Sequence, residues 1–134
     1  QADRLIEQRP IVGHGYRSVW LGKSVTTTGL LRWANLPDGR GFNFHNTFKE
    51  VTVDTGVVGL VIFTFTLGLI GWMMLRRFLE DGTVYWALFF STYLSYLARA
   101  FTELIIGPFA ATGLILFAFA AYAATRRTTA APSG

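Results

Sequence analysis

Residues Gly56–Leu75 read GVVGLVIFTFTLGLIGWMML, twenty consecutive positions without a charge. At a rise of about 1.5 Å per residue, a helix of that length spans a hydrocarbon core of about 30 Å. This stretch sets the expected fold class, an all-α membrane protein. Its glycines, Gly56, Gly59, Gly68 and Gly71, would weaken a helix in water but suit close packing against another helix in lipid.

Two more apolar segments follow, Val84–Ile106, which carries Arg99 and Glu103, and the shorter Ala- and Phe-rich Phe109–Thr125. Residues 1–55 are polar and mixed, with turn signals at Gly13, Gly15, Gly29, Pro37-Asp38-Gly39 and Gly41. The composition argues against a soluble domain: 51% of residues are hydrophobic, 15% are charged, and the mean hydropathy is +0.38. The charge of +4 and pI of about 9.9 do not point to nucleic acid. The basic residues divide between the polar segment and pairs flanking apolar runs, a pattern that membrane topology and anionic lipid explain. Without cysteine there is no disulfide framework or Cys-based metal site. The two histidines, His14 and His45, form no ligand set with acidic residues, so neither a metal nor another cofactor is expected.

Arg76-Arg77 and Arg126-Arg127 follow the first and third apolar segments. The positive-inside tendency puts both pairs in the cytoplasm, which turns residues 1–55 outward. The expected organisation is an exoplasmic (periplasmic) segment 1–55 with short helices, then membrane helices 56–75, 84–106 and 109–125. A cytoplasmic loop 76–83, an exoplasmic turn 107–108 and a cytoplasmic tail 126–134 complete it. Trp72, Tyr85 and Trp86 fit an aromatic belt on the cytoplasmic side. The chain starts at Gln1 with no initiator Met or signal-peptide pattern and reads as the C-terminal fragment of a polytopic helical bundle.

Three constellations can carry chemistry. Just ahead of the first span stands FHNTFKE, Phe44–Glu50. Helical spacing puts Asn46, Glu50 and Asp54 on one face and His45, Lys49 and Thr52 on a neighbouring one. This is either a solvated juxtamembrane face or a polar site where a neutral imidazole takes a proton near pH 7. The second is RPIVGHGYR, Arg9–Arg17. Its glycines allow a tight turn, or close approach of backbone amides to an anion, and Arg9 and Arg17 offer fork-shaped donors for phosphate oxygens. The third is Arg99 and Glu103, four apart on one helical face and about 5–10 Å below the outer end of the second span. They are a self-neutralising pair or part of a site. Trp20, Trp33, Phe42, Phe44 and Phe48 are interfacial and packing residues or sugar-stacking platforms.

Taken together, RPIVGHGYRSVW and HNTFKEVTVDTGVVGL resemble the C-terminal part of the O-antigen ligase and polysaccharide polymerase superfamily. The form RP..G.GY...W is most similar to its exopolysaccharide-polymerase branch. Pro10, Gly13 and Gly15 match the first family segment; His45, Asn46, Phe48, Glu50, Gly56 and Gly59 match the second. Lys49 departs from the leucine usual there, and the family's Gly-Arg segment and many earlier spans lie outside this chain. The resemblance implies a metal-independent glycosyltransferase of the bacterial inner membrane. It would ligate or polymerise glycans from a polyprenyl-diphosphate-linked donor onto a glycan or lipid-linked acceptor, and this fragment would need the remaining N-terminal part to act. By the same resemblance His45 is the base or diphosphate contact and Asn46 orients it or the sugar. Arg9, Arg17, Gly13 and Gly15 would meet the diphosphate, and Arg99 and Glu103 would line the floor of the site. The competing expectation is a non-catalytic transporter or assembly subunit for lipid-linked glycans.

Overall fold

A computed structural model of the chain describes residues 1–21, 25–37, 43–106 and 110–125. Among these residues the regular structure is helical throughout: α1 (Ala2–Gln8), α2 (Ser18–Leu21), α3 (Val25–Trp33), α4 (Thr47–Asp81), α5 (Val84–Arg99) and α6 (Ala111–Thr125). They fall into two compact units, one formed by residues 1–64 with 100–104, the other by 65–99 with the chain from 105 onward.

In the first unit, Ala2 and Leu5 of α1 pack with Val19 and Val53 into a small core, flanked by Ile6 and Phe44. The threonine-rich start of α3 is a poor helix former. It is tied down by buried Thr27, whose hydroxyl donates to the Val19 carbonyl. The feature that organises this unit is a break in α4. At Gly56 the backbone leaves the helical region (φ 68°, ψ −169°), so two helical pieces meet there. A break of this kind frees carbonyls on one side and N–H groups on the other. The Pro10–Gly15 loop takes up both sets. His14 N donates to Val53 O (2.9 Å) and Gly15 N to Asp54 O (2.8 Å). Beyond the break, Val57 N donates to Pro10 O (2.8 Å) and Val58 N to Ile11 O (3.4 Å).

Past the break, α4 is the one helix among the described residues long and apolar enough to cross a membrane. Val57, Val58, Val61, Ile62, Phe65, Leu69 and Trp72 are exposed along it. The helix does not stop at Leu75. Arg76 pairs with Glu80 one turn on (2.6 Å), and the helix ends only where Gly82 turns left-handed (φ 60°) and donates to Phe78 O. The segment expected as a loop from 76 is therefore mostly helix.

In the second unit, Tyr93 of α5 lies against Gly71, and its hydroxyl donates to Leu67 O (3.0 Å). A β-carbon at Gly71 would fall 2.6 Å from the tyrosine ring, which is the close helix approach its glycine foretold. Gly68, by contrast, faces open space. α5 and α6 pack through aromatic pairs, Phe89 on Phe119 (centroids 4.1 Å apart) and Trp86 on Tyr122 (5.7 Å). Trp86 is fully buried, with its indole N–H on Asp81 (2.9 Å), so it is a core residue and not part of an exposed belt. Trp72 and Tyr85 are exposed. α6 is apolar but only 15 residues long. The pair Arg126-Arg127, the tail 126–134, the turn 107–108 and residues Asp38–Phe42 lie outside the described residues.

Candidate functional site

The site grows from the start of α4. Asn46 is its N-cap: the side-chain oxygen accepts from the Lys49 amide (2.9 Å), three residues into the helix. The other end of the same carboxamide donates to Phe101 O (2.8 Å). Thr47, fully buried, donates its amide to Ala100 O (2.8 Å) and its hydroxyl to Glu103 O (2.8 Å). Three hydrogen bonds thus bind the turn after α5 to two consecutive residues at the head of α4. They also account for an expectation that does not hold. α5 ends at Arg99 and does not run to Ile106, because the carbonyls of residues 100, 101 and 103 are turned to donors on Asn46 and Thr47. Arg99 and Glu103 consequently share no helical face. Arg99 closes α5 in the second unit, whereas Glu103 stands in the first.

His45 sits just ahead of the cap in a left-handed conformation (φ 51°), which costs a non-glycine residue about 1–2 kcal/mol. An Asx turn holds it there, with the His45 amide donating to the Asn43 side chain (2.7 Å). The imidazole projects outward, its side chain 63% exposed, and Nδ1 lies 3.2 Å from the Glu103 carboxylate. The resemblance puts both residues in one site, but no local pattern pairs them, since 58 residues separate the two.

The neighbouring helix face, that of Asn46, Glu50 and Asp54, is dry beyond the cap. Glu50 is buried and accepts from the Trp20 indole (2.6 Å) and the Phe44 amide (2.9 Å), while Trp20 and Phe44 pack with centroids 4.5 Å apart. One turn on, Asp54 is also buried, and its Oδ1 has no hydrogen-bond partner. Burial pushes its carboxyl up to about 6; a backbone hydrogen bond from Arg17 opposes the rise, and the nearby Glu50 carboxylate adds to it. The 46/50/54 face that reads as solvated or catalytic is thus a cap followed by two buried acids. Asp54 escaped sequence reasoning as an individual residue; its spacing of four from Glu50 was the available signal.

The aromatic residues separate by environment. Trp20 is core, Phe48 packs on Phe101 (4.8 Å) and Phe63 (6.0 Å), and Trp33 is exposed on α3. Phe42 lies outside the described residues. Lys49 reaches back to Asp3 of α1 (3.0 Å) and holds that carboxyl below its ordinary range. Its place on the exposed side of the helix accounts for a cation at this position, where the resemblance implies leucine.

The glycine-rich loop is employed differently from the expectation of an anion cradle. The amides of Gly13, His14 and Gly15 donate to the carbonyls of Arg9, Val53 and Asp54. His14 is anchored as well, its Nε2 hydrogen-bonded to Leu5 O (2.8 Å). Arg9 is exposed at the C-cap of α1, and Arg17, left-handed at φ 52°, precedes α2. The two arginines flank the loop as cations, but the His14 and Gly15 N–H groups hold α4 and that of Gly13 closes a turn onto Arg9 O.

The chain is 32% identical, over 110 residues, to the exopolysaccharide production protein ExoQ of Rhizobium meliloti (strain 1021). The matched stretch is 81% of this chain and 25% of that protein, so the chain spans about a quarter of the length of the curated relative it matches. No family model matches the chain, and no solved structure matches it at a significant level. The similarity and the exposed apolar length of α4 are those of a membrane protein.

Proposed function

We propose that this chain supplies a catalytic segment and membrane helices to a glycosyltransferase of exopolysaccharide assembly. It would act on a polyprenyl-diphosphate-linked glycan at the outer face of the bacterial inner membrane. The observation that carries the reading is His45: an outward imidazole, held in a costly backbone conformation, about three helical turns ahead of the apolar length of α4. Strain of that kind persists where surrounding structure over-determines it, and it gathers at functional sites. The similarity to an exopolysaccharide production protein supports the same reading.

In the proposed step, an acceptor sugar hydroxyl attacks the anomeric carbon of the donor. The new bond joins that oxygen to the carbon, and the bond from the carbon to the lipid diphosphate breaks, its electron pair leaving with the diphosphate. The hydroxyl proton passes to the imidazole of His45, which later returns it to solvent. Arg9 and Arg17 are the proposed cations for the charge that develops on the diphosphate. The orientation that places residues 1–55 outside belongs to this proposal; an outer-leaflet donor would then meet His45 at the lipid–water boundary.

The test uses the full-length protein with His45→Ala in cells and in a purified reaction with defined donor and acceptor. Product is expected to fall by roughly 10²–10⁴-fold, the usual worth of a general base, at unchanged protein level. Normal product from the variant would remove His45 from the chemistry. Tight donor binding without any glycosidic bond in the wild type would instead favour a transporter or assembly subunit.

A further inference from the structure

We infer that Glu103 is the positioning residue for His45, fixing its ring orientation and its tautomer so that Nε2 is the nitrogen that takes the proton; this rests on the function proposed above. A carboxylate accepts but does not donate, so a ring nitrogen hydrogen-bonded to it carries the hydrogen. Glu103 Oε2 lies 3.2 Å from Nδ1 of His45. The neutral ring is then the Nδ1–H form, with its lone pair on Nε2, at the opposite side of an imidazole that is 63% exposed. When Nε2 accepts a proton, the ring becomes a cation already facing a carboxylate.

An ion pair between exposed side chains is ordinarily worth little and is often adventitious. Here both backbones are fixed independently of the pair. The histidine is set by its Asx turn onto Asn43, and Glu103 by the hydrogen bond from buried Thr47 to its own carbonyl. The bonds from Thr47 to Ala100 and from Asn46 to Phe101 hold the rest of the turn. Four hydrogen bonds that involve neither the imidazole nor the carboxylate therefore bring those two groups together. The termination of α5 at Arg99 gains a reason: a helix continued past it would not leave these carbonyls for Asn46 and Thr47.

The experiment compares full-length wild type, Glu103→Gln, Glu103→Asp and His45→Ala. Glu103→Gln retains shape and hydrogen bonding but can donate as well as accept, so the tautomer is no longer enforced. It is expected to lower kcat about 10- to 100-fold with KM for the donor within about threefold. Glu103→Asp is expected to recover part of the loss. In protein labelled with ¹⁵N-histidine, with the His45 resonances assigned by their absence from His45→Ala, the wild type should show the Nδ1–H form. Glu103→Gln should show a mixture. A purely structural role for Glu103 would change folding or KM but leave the tautomer ratio and kcat alone. Loss of activity in His45→Ala with an unaffected Glu103→Gln would overturn this inference and leave the functional reading standing. Full activity in His45→Ala would overturn both.

Discussion

Replacing Gly56 with alanine should unlock the first unit. The β-carbon would fall 2.1 Å from the Ile11 carbonyl oxygen and 2.5 Å from the Val12 nitrogen, and both are backbone atoms that cannot swing aside. Alanine would also carry the left-handed φ of 68° at a cost of about 1–2 kcal/mol. Relief requires the Pro10–Gly15 loop to withdraw, which breaks at least the Val57–Pro10 and Val58–Ile11 bonds, net about 0.5–1.5 kcal/mol each. The sum is about 2–5 kcal/mol. It should be read in the full-length protein by hydrogen exchange at the His14 and Gly15 amides, which donate to the carbonyls just before the break. A local loss of 2 kcal/mol or more corresponds to exchange about 30-fold faster or greater. Gly13→Ala should behave alike, since its β-carbon would meet the Asp54 carbonyl carbon at 2.5 Å. Gly29→Ala in α3 is the control: nothing lies within 4 Å, and the helix should gain about 0.5–1 kcal/mol. Exchange at His14 and Gly15 within threefold of wild type in Gly56→Ala would refute the idea that two glycines clamp the loop to the broken helix.

Other perturbations have equally definite outcomes. Asp54 holds its proton more tightly when folded, with a pKa of about 6, than the ordinary 3.8 of the unfolded chain. Its contribution to stability is therefore complete below about pH 4 and is lost as pH rises through about 6. Asp54→Asn should flatten that stretch of the stability–pH curve and stabilise the protein at pH 7 by on the order of 1–3 kcal/mol; a curve parallel to wild type would count against it. Tyr93→Phe removes the bond to Leu67 O while keeping the ring on Gly71, and a thermal melt should register a loss of about 0.5–1.5 kcal/mol. His45→Ala and Glu103→Gln should spare folding and strike activity, as measured by product formation alongside thermal unfolding.

Long-range pairing is where sequence reading reached its limit. The apolar run from Gly56 and the acidic spacing at Glu50 and Asp54 are local patterns, and the structure keeps both as a helix with an apolar length and a helix face. Two adjacent arginines read as a boundary, but the helix continues past Arg76 because Glu80, one turn on, pairs with both of them. The end of α5 was missed for a different reason. Val84–Ile106 is apolar throughout its first part, and no residue near Arg99 is a helix breaker. The helix stops because Asn46 and Thr47, more than 50 residues earlier, take the carbonyls of residues 100, 101 and 103 just past its end. No local propensity encodes that, and the pairing of His45 with Glu103 depends on it.

The glycine loop shows how one residue pattern can serve two physical purposes. Amides exposed by paired glycines suit an anion, and they suit equally well the carbonyls of a helix that has been broken. Gly13 and Gly56 each have a positive φ and no room for a β-carbon against the other's strand of backbone, so the two motifs exist to meet each other. The letters shared with the ligase and polymerase pattern then divide by exposure. Gly13, Gly56, Asn46 and Glu50 are consumed by turns, caps and buried hydrogen bonds, while His45 presents its side chain outward. Substitution of the first group should reduce folded protein and activity together, whereas substitution of His45 should reduce activity alone. If Glu50→Gln, which preserves a hydrogen-bond acceptor for the Trp20 indole, lost activity as fully as His45→Ala at normal folded yield, that division would be wrong. The buried acid would then belong to the chemistry.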